Sequence, residues 1–118
     1  MSGTPKEYDD DADGRAPLVE LLYFDGCPNH TAFLPHLEQL LHDAGIHGEV
    51  QLVEVGDDEQ AQRLRFLGSP SLRVDGRDVD PTADGRHDYG LQCRIYPGAD
   101  GPAGTPPDEW VRRALPPS

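Results

Sequence analysis

The sequence predicts an α/β fold, and three observations carry that prediction. Leu18-Val19-Glu20-Leu21-Leu22-Tyr23-Phe24 is a near-continuous apolar run ended by Asp25-Gly26, the pattern of a strand buried on both faces. Phe33, Leu34, Leu37, Leu40, Leu41 and Ala44 follow at the spacing of one helix face. Asp75-Gly76, between Ser71-Leu72-Arg73-Val74 and Arg77-Asp78-Val79, is a two-residue hairpin signal. The element order is therefore β-α-β-α-β-β, an insert, and a last helix. A right-handed crossover sets the first two strands side by side in one central sheet.

Each element has its local reason. Gly45 suits the C′ position of the first helix, and Pro35 inside the pattern should kink its first turns or mark a late start. Glu49 to Val55 alternates as a second strand. Asp57 or Asp58 is the expected N-cap of a short helix over Glu59 to Leu67, with Ala61, Leu64 and Leu67 inward and Gly68 as its stop. Asp80 to Asp88 reads as polar and irregular, Leu91 to Tyr96 as an added strand or an ordered loop, and residues 97–107 as Gly/Pro-rich connection. Thr105-Pro106-Pro107-Asp108 has the form of a helix start, with Trp110, Val111, Ala114 and Leu115 docking the helix on the sheet.

The length of 118 residues suits one domain, assigned to residues 17–115. Acidic residues outnumber basic ones 22 to 10, a formal charge of −12. That excludes a nucleic-acid or anionic-membrane surface, since both need clustered Lys and Arg. Residues 1–16 carry Glu7, Asp9, Asp10, Asp11 and Asp13 against Lys6 and Arg15 with almost no apolar content, which predicts a disordered acidic tail. Residues 116–118 are expected to be flexible. The first residues lack the apolar core of a secretory signal, and no apolar run approaches the ~18–20 residues of a membrane span. A soluble, cytoplasmic protein is expected.

Two cysteines are too few for a disulfide scaffold, so in a reducing compartment they read as thiols, ligands or nucleophiles. Cys27 falls between the first strand and first helix. There, unpaired backbone N–H groups and the helix dipole favour thiolate, and His30 three residues on can add charge or a hydrogen bond. The competing reading is an ordinary turn residue. Cys93 also has two readings, an inert packed thiol or a second thiol carried beside Cys27 by the insert, with Arg94 holding a nearby thiolate or anion. For metals, His30, His36 and His42 lie six apart, which is not the spacing of helical zinc ligands, although Cys27, His30, His87 and Cys93 make a conceivable set. No cofactor motif is present, and no cofactor is expected.

The element order, with Phe24-Asp25-Gly26-Cys27-Pro28-Asn29-His30 and Gly68-Ser69-Pro70-Ser71, resembles the thioredoxin-like superfamily. More narrowly it is similar to small bacterial proteins of that superfamily labelled thioredoxin-like or alkylmercury-lyase-like. The likeness spans roughly residues 17–79 and the last helix. It implies a three-layer fold with a mixed four-stranded central sheet, a cis-proline at Pro70 facing Cys27, and protein or small-molecule thiols and disulfides as partners. Catalysis would fall to Cys27, Cys93 and His30. Substrate contact would fall to Asp25, Pro28, Ser69 and Pro70, with the Ser69 backbone pairing with an extended substrate. The departure is at position 30, where His replaces the second cysteine of the redox motif. Three functions follow from the likeness: a thiol oxidoreductase with Cys27 as nucleophile and Cys93 or an external thiol as resolver; an organomercurial-lyase-like site of Cys27, Cys93 and Asp25 or His30; or a non-catalytic binding module.

Overall fold

A computed structural model describes residues 17–46 and 48–115; the acidic tail and the last three residues lie outside the described residues. The apolar run forms strand β1 (Val19–Tyr23), and the helical pattern forms α1 (Asn29–Asp43). Strand β2 (Val50–Glu54), helix α2 (Asp58–Leu64), and strands β3 (Ser71–Val74) and β4 (Arg77–Asp78) follow. They build a four-stranded mixed sheet in the order β2-β1-β3-β4. β1 pairs parallel with β2, as a helical crossover requires, and antiparallel with β3, while β3 and β4 form the hairpin.

Because strand side chains alternate, β1 feeds both faces of the sheet. Val19 and Leu21 meet Phe33, Leu37, Leu40 and Leu41 of α1, together with Val111 and Leu115 near the C-terminus. Leu22 faces the other way and packs with Val55, Ala61 and Phe66. Each fully buried side chain of this size contributes about 1.5–3 kcal/mol through burial. Helix α1 runs unbroken through Pro35 and does not start late. It ends as the glycine predicted, with Ile46 N–H on the Leu41 carbonyl (2.8 Å) and Gly45, at φ 79°, donating to His42 (3.0 Å).

Other boundaries moved. The Asp57 carboxylate accepts from Gln60 N–H at 2.8 Å and caps α2, so the earlier of the two expected caps is used. The helix stops at Arg65, which takes the left-handed conformation (φ 55°), and not at Gly68. Asp75 and Gly76 both have positive φ, as a tight primed turn between twisted strands needs. Residues expected to be mere connection form a second small hairpin, β5 (Tyr96–Gly98) with β6 (Gly101–Ala103). The last helix, α3 (Asp108–Ala114), starts after Pro107 with no side-chain cap, so Thr105 does not play that part. Asp108 and Glu109 offset its exposed N–H groups, and His36 reaches Asp108 at 2.7 Å to join α1 to α3. Among the described residues no helix is long and apolar enough to cross a membrane.

A candidate dithiol site

Cys27 lies one residue before Pro28, the N-cap of α1, in a turn closed by its own N–H on the Phe24 carbonyl (3.2 Å). Its side chain is fully buried, and its S–H points to the Ser69 carbonyl at 3.6 Å. Ser69–Pro70 is a cis peptide. Over Cys27 comes Cys93, whose Sγ is 3.4 Å from Cys27 Sγ although the residues are 66 apart in sequence. Cys93 is exposed. The reading of Cys93 as a packed thiol is therefore overturned, and Cys27, expected as the nucleophile, is the buried one of the two. The insert lays Cys93 above Cys27 like a lid.

The lid is fastened by the segment around it. Ser69 N–H donates to the Gln92 carbonyl (2.8 Å) and Arg94 N–H donates to the Ser69 carbonyl (2.9 Å), a short parallel bridge centred on Cys93. The backbone of Ser69, expected to receive an external substrate strand, is thus already paired with the chain's own residues. Arg94 is the rivet. Its guanidinium grips Asp78 with two hydrogen bonds (2.7 and 3.0 Å), Asp80 with one (3.1 Å) and Ser71 Oγ with another (3.0 Å). It also lies 4.8 Å from the Tyr96 ring centre. Sequence reasoning gave Arg94 to a thiolate or anion; the charge is instead spent on the β4 end. Tyr96 O–H donates to the Pro70 carbonyl at 2.6 Å, and burial pushes that hydroxyl well above the usual tyrosine range.

Arg94 and Asp80 hold their ionised forms. Burial alone would raise the Asp80 carboxyl, but hydrogen bonds from Thr82 and Arg94 outweigh it and hold the group below the usual aspartate range. A depressed carboxylate stabilises the fold above the ordinary value of about 3.9, and that contribution fades as pH falls through the folded-state value. The Cys93 thiol moves the other way. Its hydrogen bond to Cys27 Sγ, with smaller contributions from burial and from the neighbouring sulfur's charge, holds it protonated above the ordinary cysteine range.

The remaining expected residues divide. His30 contributes nothing to the sulfurs directly: its ring stacks on Tyr23 (centroids 4.0 Å apart) and its Nδ1 meets the Cys27 carbonyl at 2.8 Å. Since a carbonyl can only accept, Nδ1 carries the hydrogen, and the ring braces the turn that holds Cys27. Asp25 and Pro28 are exposed beside the turn, and neither sulfur takes a hydrogen bond from them. The four-residue metal set is not assembled; among the described residues no three His, Cys, Asp or Glu are gathered to hold a metal.

Gly68, expected from the sequence to stop the helix, has a different use. It has φ +123°, and a Cβ there would meet the Gln92 carbonyl oxygen at 2.9 Å and Arg94 Cβ at 3.0 Å. The glycine lets the lid approach the Ser69 backbone. Gly68→Ala is expected to cost about 1–3 kcal/mol in backbone strain and to push residues 92–94 outward. Urea midpoints should fall, and Cys27 should begin to react with a bulky maleimide. An unchanged midpoint with Cys27 still unreactive would refute the close approach. No family model, curated protein or solved structure matches the chain, so what the two sulfurs do is read from their own surroundings.

Proposed function

We propose that the chain is a thiol–disulfide oxidoreductase of thioredoxin-like fold, in which Cys27 and Cys93 cycle between dithiol and disulfide. One observation carries the reading: two thiols from distant parts of the chain held at 3.4 Å. That separation is within the ~3–3.5 Å of a near-attack arrangement. The mixed sheet, the cysteine at the β1–α1 junction and the Ser69 carbonyl against its sulfur support the fold assignment. The cytoplasm suits a pair of free thiols.

The exchange begins at Cys93, because Cys27 is out of reach of any second molecule. In the reducing direction Cys93 loses its proton to solvent and its thiolate attacks a substrate disulfide. A Cys93–substrate disulfide forms, the substrate S–S bond breaks, and the departing thiolate takes up a proton. Cys27 then attacks the Cys93 sulfur from below, forming the Cys27–Cys93 disulfide and expelling the second substrate thiol. Two electrons pass to the substrate, and an external dithiol must return them. In the oxidising direction a substrate thiolate attacks the exposed Cys93 sulfur and Cys27 leaves and takes up a proton; a second substrate thiol then attacks the mixed disulfide, forming the substrate disulfide and releasing Cys93.

This order exchanges the roles given by the sequence. A thiophilic-metal site would use the same sulfurs, with a linear two-coordinate metal at about 2.3 Å from each parting them to about 4.6 Å where a disulfide draws them together. A binding module using the Ser69 edge is disfavoured because that edge is occupied. The test is trapping. With a disulfide-bonded chromogenic probe, Cys27→Ser should accumulate a stable adduct on Cys93, whereas Cys93→Ser should remain unmodified. The wild-type rate should still be climbing above pH ~8.5, because Cys93 is held protonated there. An adduct on Cys27 in the Cys93→Ser protein, formed as fast as the wild type reacts, would reverse the order again.

A further inference from the structure

The lid has an outer face that the exchange chemistry alone does not use. From 93 to 96 the side chains alternate: Arg94 and Tyr96 are buried at 2% and 1% exposure, while Cys93 and Ile95 (71%) face solvent, as do Leu91 (36%) and Gln92 before them. The accessible thiol thus sits midway along an apolar strip, two residues from a large aliphatic side chain on either side. The backbone repeats the pattern. In the bridge to Ser69 the bonded groups belong to Gln92 and Arg94, so the N–H and carbonyl of Cys93 are directed away from Ser69. Among the described residues neither has a hydrogen-bond partner in the backbone. The segment is a one-residue strand edge with its thiol exposed and its main chain open.

Resting on the exchange reading above, we propose that this edge receives the substrate, and that the substrate is an extended polypeptide whose cysteine or disulfide has aliphatic neighbours. Its strand adds to the Cys93 N–H and carbonyl, and its flanking side chains cover Leu91 and Ile95, the usual division of labour when a peptide joins a sheet edge. The edge expected at Ser69 has in effect been moved one strand outward, because Ser69 is paired internally. A small anionic thiol such as glutathione gains nothing here. It offers no apolar flanks, and it must approach a chain of net charge −12.

The test compares two disulfides of the same chromophore on the full reduced chain: glutathione disulfide-bonded to it, and an extended octapeptide with leucine and valine flanking a cysteine disulfide-bonded to it. Oxidation of the pair by the peptide should be at least about tenfold faster. Leu91→Ser/Ile95→Ser, both at exposed positions, should erase most of that advantage and leave the glutathione rate unchanged. A peptide N-methylated at the residue opposite Cys93 should likewise slow several-fold. Equal rates for the two disulfides, or a double variant that slows both alike, overturn the docking strip while leaving the exchange reading intact. Failure of both disulfides to oxidise the pair overturns the exchange reading and the strip with it.

Discussion

Mild oxidation of the reduced protein is expected to join Cys27 to Cys93, with loss of two hydrogens from the intact mass and one cross-linked peptide after digestion. The sulfurs stand 3.4 Å apart, so closing to a disulfide length of about 2.05 Å needs a movement of little over an ångström. The loop closed spans 66 residues, for which chain entropy alone gives about 4 kcal/mol of added stability. The oxidised form should therefore melt more than about 10 °C above the reduced form. Either cysteine-to-serine change should abolish that difference. In Cys27→Ser the remaining thiol is the exposed one, so adducts and intermolecular dimers should form on Cys93. In Cys93→Ser, Cys27 loses the lid sulfur, and its residual reactivity measures how far the backbone alone covers it. A wild type that yields only separately modified cysteines would remove the basis for the exchange reading.

The second large effect is expected at Arg94. Its side chain is fully buried, and Asp78 and Asp80 are nearly so, with side-chain exposures of 10% and 7%. Arg94→Met keeps the bulk and removes the charge, leaving two carboxylates with Arg86, 3.8 Å from Asp80, and Arg73, across the strands from Asp78, as the nearby cations. Breaking a buried pair this way costs about 3–5 kcal/mol. Denaturant midpoints should fall accordingly, and oxidation should yield less internal disulfide because the segment carrying Cys93 is no longer fastened. Adding Asp78→Asn and Asp80→Asn to Arg94→Met should recover part of the stability, since the uncompensated charges go with them. A loss below about 1 kcal/mol would show that the bridge to Ser69 and the Tyr96 hydroxyl hold the lid without the ion pairs.

Much of the frame was legible from the sequence because periodicity acts locally. The run at 18–24, the spacing from Phe33 to Ala44 and the Asp75-Gly76 turn each encode one element, and each formed where expected. The hairpin of β5 and β6 was hidden because Pro97, Gly98, Gly101 and Pro102 are residues that strands avoid. The site was half legible. Cys27 was marked by its place before a helix, but its burial depends on the insert, which has no period to read. Arg94 was misassigned because a fully buried arginine is rare, and its partners are split between the hairpin strand, which holds Asp78, and what looked like a polar loop, which holds Asp80. One signal was available: two aspartates two apart at the end of the hairpin, with an arginine in the insert that follows, can close a buried network. Distance between Cys27 and Cys93 was beyond reach, because contact across 66 residues is a property of the whole fold.

The separation of those cysteines along the chain ties electron affinity to folding. In a motif where two cysteines are three residues apart, the sulfurs remain neighbours even in the unfolded chain. Here they meet only when the sheet, α1 and the Arg94-fastened segment are all in place. By the thermodynamic cycle, whatever the disulfide adds to the fold the fold returns to the disulfide. About 4 kcal/mol of loop closure corresponds to a reduction potential roughly 90 mV more negative in the native protein than for the same cysteines in the denatured chain. Loosening the native state, by heat or at Arg94, should move the potential upward toward that of an unstructured dithiol, so the molecule's tendency to hold two electrons reports on its own integrity.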